Sequence, residues 1–121
     1  IPEVVLDAVK FRLAVANIID NAVQYTPANG KVDVEVTYQK EVLVSVRDTG
    51  VGIPKYQLSR VFTKFFRGDN AVRIQTSGSG LGLFIAKNII EKHGGKIWIE
   101  SQEGKGTTVY FTIPVAEKRR L

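Results

Sequence analysis

The chain has 121 residues and 44% of them are apolar, which suits one domain with a modest core and excludes a disordered chain. The net charge of +5 is scattered, apart from a basic tail at 118–120, and no aromatic stripe accompanies it, so we expect no nucleic-acid partner. The absence of cysteine excludes disulfides, thiolate metal sites and a cysteine nucleophile, and no apolar run has the length of a membrane span.

A long amphipathic helix is predicted from about residue 4 to residue 25. Asn17, Asn21 and Gln24 recur at helical spacing on one side. Asparagine is a poor helix former compared with lysine or glutamate, so two asparagines one turn apart favour a ligand role over a merely solvated face. The apolar side chains are expected on the opposite side: Phe11, Val15, Ile18, Ile19, Ala22 and Val23.

Two alternating segments, 32–37 and 42–47, predict a β-hairpin with one buried face. The second strand ends at Asp48, which is followed by a turn with Gly50 and Gly52. Glycines allow backbone to approach a ligand closely, and a carboxylate at a strand end can accept a hydrogen bond from a ligand donor. Pro54 then opens a predicted short helix.

The aromatic segment 62–67 is expected to contribute at least two phenylalanines to the core. Residues 68–77 show no apolar period and predict a long loop of the kind that often forms a functional lid. The glycine-rich run 78–82 opens a second helix, which ends at His93 before a glycine pair. We interpret His93 as a capping residue and not as a catalyst.

A second hairpin, with strands at 96–100 and 107–113, completes the pattern. The expected fold is α+β: a two-layer α/β sandwich in which helices cover one face of a mixed, mostly antiparallel sheet. One domain spans 1–121. Because the sequence opens without methionine and almost inside a helical pattern, we expect a fragment of a longer protein.

The glycine-rich run 78–82 predicts a phosphate site, because bare amides at a helix start bind phosphate. A flexible hinge is the alternative, and neither the dinucleotide motif nor a P-loop fits its position. Together with the asparagines, the carboxylate of Asp48 and the cation of Arg67, the run provides what a magnesium-bound nucleotide needs. These needs are an acceptor for an exocyclic amine, an oxygen ligand for the metal, positive charge and backbone N–H groups.

Four motifs in this order resemble those of the ATP-binding catalytic domain of two-component sensor histidine kinases, in the superfamily shared with gyrase, the ninety-kilodalton heat-shock chaperones and mismatch-repair ATPases. The resemblance covers nearly the whole chain, and it implies the Bergerat fold. Its boxes are the asparagine box 17–27, the first glycine box 48–54, the phenylalanine box 62–67 and the second glycine box 78–83, with further landmarks at 93–95 and 104–107.

For the base of ATP, the resemblance implies that Asp48 accepts from the adenine amine, with Thr107 nearby through ordered water. Gly50 and Gly52 would let the backbone approach the base. Two side chains would pack against or near it: Ile53 and Tyr25.

For the phosphates, the resemblance implies that Asn21 coordinates Mg²⁺, that Asn17 supports the phosphate side and that Arg67 contacts the phosphates. Gln24 departs from the family pattern, which often has lysine or arginine there, so we assign it no phosphate contact. The lid hinge and phosphate cradle would consist of Gly78, Gly80, Leu81 and Gly82.

The function implied by the resemblance is transfer of the γ-phosphate of Mg-ATP to a histidine on the kinase's own dimerisation domain, which this chain lacks. We therefore expect no catalytic residue within 1–121. The implied partners are that domain and a response regulator. Homodimers are expected only in the full-length protein. The expected location is cytoplasmic, without membrane contact by this domain. Three alternatives stay open: a chaperone-type ATPase, an anti-sigma-factor serine kinase and a degenerate sensor domain that only binds nucleotide or a partner.

Overall fold

A computed structural model describes residues 6–64 and 81–115 of the chain. The order of elements in these residues agrees with the sequence-based prediction. They comprise helix α1 (Ala8–Gln24), strands β1 (Val32–Tyr38) and β2 (Val42–Asp48), a 3₁₀ helix (Lys55–Arg60), helix α2 (Gly82–Lys92) and strands β3 (Ile97–Gln102) and β4 (Gly106–Ile113).

The four described strands form one sheet in the order β1-β2-β4-β3, and each neighbouring pair is antiparallel. Helices α1 and α2 pack against each other and cover one face of the sheet, with the hydrophobic core between the two layers. This arrangement confirms the predicted two-layer sandwich. None of the helices in the described ranges is both long and apolar enough to cross a membrane.

Helix α1 begins at Ala8, four residues later than predicted, because Asp7 caps it. The Asp7 side chain accepts a hydrogen bond from the backbone N–H of Lys10 at 3.0 Å, which satisfies one of the free donors at the helix start. Along the helix the buried residues recur every three or four positions, as predicted for its apolar side. They are Phe11, Ala14, Ile18 and Ala22. Val23, expected among them, is 55% exposed.

Strand β1 differs from the predicted half-buried strand. Its inward-facing residues Val34 and Val36 remain 50% and 48% exposed, whereas their partners Val46 and Val44 on β2 are buried. The alternation of β1 was predicted correctly, but β1 is one of the two edge strands of the described sheet and the helix layer covers it only in part.

His93 connects the first residue before α1 to the last turn of α2. Its Nε2 accepts a hydrogen bond from the backbone N–H of Asp7 at 2.9 Å, and its Nδ1 donates to the carbonyl of Ile89 at 2.8 Å. These two bonds require the neutral ring with its hydrogen on Nδ1. Its ring also meets Phe11 edge-on, with centroids 5.3 Å apart. The structure thus confirms His93 as a capping residue.

A pair of glycine substitutions separates steric clash from backbone strain in the β3–β4 turn. Gly104 and Gly106 both have positive φ, of +83° and +114°, but a Cβ on Gly106 would lie 2.2 Å from the carbonyl oxygen of Asp48, whereas one on Gly104 meets nothing. We expect Gly104→Ala to cost about 1 kcal/mol of unfolding free energy and Gly106→Ala about 3 kcal/mol or more. Urea denaturation measures both, and equal losses would contradict the clash.

Candidate functional site

Three neighbouring strands place polar side chains side by side at one end of the sheet. Asp48 of β2 pairs with Thr107 of β4, which pairs with Ser101 of β3. All three lie on the face that the helices cover, since they continue the alternation of buried or partly buried residues along each strand. The next row inward on the same strands is apolar and consists of Val46, Val109 and Ile99. The polar row therefore closes the core at this end.

Asp48 is only 3% exposed, and one of its two carboxylate oxygens is fixed by backbone. Its Oδ1 accepts hydrogen bonds from the N–H of Gly50 at 2.8 Å and of Thr107 at 3.2 Å. The second oxygen, Oδ2, receives no hydrogen bond from the described residues. Burial raises the pKa of Asp48, and the two backbone bonds oppose that rise. Among the described residues, Oδ2 is thus an acceptor that no protein donor engages.

The glycine turn after Asp48 is wedged between the end of α1 and the β3–β4 turn. A Cβ on Gly50 would lie 2.2 Å from the carbonyl oxygen of Tyr25, and one on Gly52, where φ is +71°, would lie 2.2 Å from that of Gln102. Val51 joins the two sides, since its N–H donates to Tyr25 and its carbonyl accepts from Gly104. These close contacts within the protein therefore require glycine at both positions, whether or not a ligand binds beside them.

The side of α1 with the two asparagines faces the start of α2. The position of a Cβ on Gly82 lies 3.6 Å from the Cβ of Asn17, and both asparagines are partly exposed. No side chain of residues 6–64 and 81–115 caps the N-terminus of α2, and amides at a helix start can bind an anion. From Asn17 to Tyr25 the helix runs about 12 Å. The candidate site therefore extends along α1, from Gly82 at one end to Gly50 at the other.

The other sequence-predicted residues lie in the core, directly before α2 or outside the described part of the chain. Tyr25 and Ile53 belong to the core and are 5% and 1% exposed. Leu81 directly precedes α2 at its N-cap position. Three predicted residues lie outside the described part of the chain: Arg67, Gly78 and Gly80.

Ser101 is a site residue that the sequence analysis missed. Its Oγ accepts from the N–H of Ile53 at 2.7 Å, contacts the carbonyl oxygen of Gly106 at 3.0 Å and lies 2.7 Å from Oγ1 of Thr107. The signal that could have identified Ser101 is its position in β3. The alternation of Ile97 and Ile99 predicts a third apolar residue at position 101, and the sequence has serine there.

The described residues include no group of three or more histidine, aspartate or glutamate side chains that could hold a metal ion between them. Near the start of α2 lies Asn17 of α1, and Asn21 follows one turn further along the same side of α1. An amide oxygen is a hard ligand, suited to Mg²⁺ when water and ligand oxygens complete the coordination.

Comparison with known families and sequences gives one consistent result. Residues 6–117 match the family described as histidine kinase-, DNA gyrase B- and HSP90-like ATPases. The sensor histidine kinase WalK of Bacillus subtilis is 44% identical over 117 residues, which are 94% of this chain and 19% of WalK. The methanogenesis regulatory histidine kinase FilI of Methanothrix harundinacea is 40% identical over 116 residues, 93% of this chain and 13% of FilI. The chain thus spans less than a fifth of both relatives.

Two solved structures share the fold of this chain. The mycobacterial sensor histidine kinase MprB superposes with a TM-score of 0.82 at 32% identity, over 92% of this chain and 76% of that one. Full-length ShkA, solved in complex with AMPPNP, superposes with a TM-score of 0.78 at 29% identity, over 99% of this chain and 24% of ShkA.

The buried carboxylate of Asp48 should lower the stability of the ligand-free domain at neutral pH. Its pKa is raised in the folded state, so its contribution to stability is greatest below its ordinary pKa and is lost as pH rises through the raised value. We expect Asp48→Asn to raise the melting temperature at pH 7, by a margin that shrinks towards pH 4. Asp33→Asn, on exposed β1, controls for the loss of one charge. A lower melting temperature for Asp48→Asn alone would contradict this account.

Proposed function

The chain belongs to the family of histidine kinase-, DNA gyrase B- and HSP90-like ATPases, and on that premise we propose that it binds Mg-ATP and presents the γ-phosphate to a histidine of its parent kinase. The acceptor histidine lies in the parent's own dimerisation domain, and a response regulator then takes the phosphoryl group. Two-component signalling is the setting that the sensor histidine kinase relatives suggest.

The observation that carries the proposal is the free oxygen of Asp48. Gly50 and Thr107 both donate to Oδ1 and so favour one orientation of the carboxylate, and Oδ2, which receives no hydrogen bond from residues 6–64 and 81–115, is left as an acceptor. The exocyclic amine of adenine is the complementary donor. A 6-oxo purine would place its own acceptor against the carboxylate, so the geometry favours adenine nucleotides.

The other end of the site suits the phosphates. Gly82 sets the start of α2 against Asn17, and amides at an uncapped helix start attract an anion. The base end and this end are separated along α1 by about two turns, which suits an elongated ligand with its base at Asp48. This chain shares the fold of ShkA, which was solved in complex with AMPPNP, and that likeness supports nucleotide binding.

Asn21 is the residue that would hold Mg²⁺, because it lies one turn beyond Asn17 on the same side of α1 and is partly exposed. Its amide oxygen would supply one ligand, and phosphate oxygens and water the others. The bound ion would neutralise charge on the phosphates. The chain's own contribution is to orient the nucleotide and to exclude water from its base, as expected for a reaction that depends on positioning.

The nucleophile must come from outside 1–121. His93 is the only histidine, and both of its ring nitrogens are engaged, with Asp7 and with Ile89. It also follows the C-terminal end of α2, whereas Gly82 lies at the N-terminal end of that helix. We therefore assign no catalytic residue within this chain, and the acceptor belongs to the dimerisation domain.

The binding half of the proposal is tested with Asp48→Asn. The two backbone donors keep the amide oxygen of asparagine in the Oδ1 position, so its NH₂ group faces the adenine amine, donor against donor. We expect Mg-ATP affinity to fall about 100-fold, or about 3 kcal/mol, by titration calorimetry. Unchanged affinity would overturn the base assignment.

The transfer half is tested by mixing the chain with the parent's dimerisation domain and ATP labelled in the γ-phosphate. We expect acid-labile label on a histidine of that domain, and none when its acceptor histidine is replaced. Bound Mg-ATP without transfer would support the binding-only alternative, and release of free phosphate without transfer would support a chaperone-type ATPase.

The metal assignment predicts a specific change in Asn21→Ala. Affinity for ATP in the absence of Mg²⁺ should stay near wild type, while the gain on adding Mg²⁺ should shrink about tenfold, because one oxygen ligand is lost. Asp20→Ala is the matched control, since this exposed neighbour lies on another side of α1. Calorimetry with and without Mg²⁺ measures both variants. A full Mg²⁺ effect in Asn21→Ala would place the metal elsewhere.

A further inference from the structure

We infer that Ser101 is a positioning residue that holds the Thr107 hydroxyl as an acceptor beside Asp48 and so makes the site select 6-amino over 6-oxo purines. The inference deepens the proposed function and rests on it. It concerns a residue two strands away from Asp48, joined to it through Thr107.

The contacts of Ser101 determine where its hydrogen lies. A backbone N–H can only donate, so the 2.7 Å contact with Ile53 occupies one lone pair of Oγ. A carbonyl can only accept, so the 3.0 Å contact with Gly106 takes the single hydroxyl hydrogen. One lone pair remains for the third contact, at 2.7 Å, with Oγ1 of Thr107. Thr107 must therefore donate to Ser101.

This direction fixes what Thr107 can offer a ligand. Its one hydroxyl hydrogen is engaged by Ser101, and its backbone N–H is engaged by Oδ1 of Asp48. Only lone pairs of Oγ1 remain. Since Asp48 and Thr107 are direct partners in the sheet and lie on the same face, Oδ2 and Oγ1 are the two acceptors that these neighbouring residues would offer to a ligand. Both are nearly buried, at 3% and 4% exposure, so an unmatched contact cannot be relieved easily by solvent.

A pair of acceptors recognises a group with two hydrogens to donate. The 6-amino group of adenine has two, whereas the 6-oxo group of hypoxanthine presents lone pairs to both oxygens. If Ser101 lost its hydroxyl, the hydrogen of Thr107 would be free to turn and to donate to a 6-oxo group. Selectivity at position 6 therefore depends on Ser101, although Ser101 itself need not touch the base.

A purely structural role gives a different result. Ser101 also ties the glycine turn to β3 through Ile53, so its loss could loosen the turn. Loosening would weaken binding of every nucleotide by a similar factor. The hydroxyl-orientation role instead changes the ratio of affinities for two bases, and the ratio is measured on a single folded protein.

The experiment compares ATP with ITP, which carry the same ribose and phosphates, by calorimetry on wild type, Ser101→Ala and Ser101→Thr. We expect Ser101→Ala to lower ATP affinity about tenfold and to leave ITP affinity unchanged or higher, so that the ATP/ITP ratio falls about tenfold or more. Ser101→Thr keeps a hydroxyl on the same carbon and should restore the ratio. Ser45→Ala, on the opposite face of the sheet, is the matched control and should keep the wild-type ratio.

Thr107→Val keeps the test decisive if Ser101→Ala fails to fold. It removes the acceptor beside Asp48 and leaves the bonds of Ser101 to Ile53 and Gly106 in place. We expect the same loss of ratio. A wild-type ATP/ITP ratio in either folded variant overturns the inference, even if both affinities fall. Wild-type protein that binds neither nucleotide overturns the proposed function itself, and so the two failures are distinguishable.

Discussion

The structure of the candidate site depends on a buried carboxylate that two backbone segments share. Oδ1 of Asp48 accepts from Gly50 in the turn after β2 and from Thr107 at the start of β4. Burying this acid is unfavourable, as its raised pKa shows, and the two backbone donors offset only part of that cost. An amide in its place could satisfy the same two donors without the charge. A charged group kept at such a place indicates a role other than stability.

The same carboxylate explains why glycines surround it. Three stretches of backbone converge there: the end of α1, the turn after β2 and the β3–β4 turn. A Cβ at Gly50, Gly52 or Gly106 would lie 2.2 Å from a carbonyl oxygen of a neighbouring stretch. Closely packed backbone atoms cannot move aside for an added Cβ as a flexible surface side chain can. The carboxylate of Asp48 is therefore held by the sheet itself, and the proposed binding of a base there would need little rearrangement.

The sequence predicted most of this arrangement, and the exceptions have physical reasons. Alternation and helical spacing predicted the four strands and the two α-helices of the described residues, and Pro54 indicated the short helix after the glycine turn. Asp48 was singled out because a charge at a strand end before a glycine turn is a local signal. Alternation says which face a valine takes but not whether another layer covers that face, so the exposure of Val34 was missed. Ser101 was missed because its partner Ile53 is 48 residues away, and only the folded sheet brings them together.

The two ends of the candidate site have different structural supports. At the base end, Asp48 and Thr107 are neighbours within one sheet, joined by backbone hydrogen bonds. At the phosphate end, Asn17 and Gly82 belong to separate helices that meet through side-chain packing. The bonds of His93 tie these helices together at their opposite ends, around Asp7. A shift of α2 against α1 would therefore alter the proposed phosphate end of the site and leave the proposed base end in place.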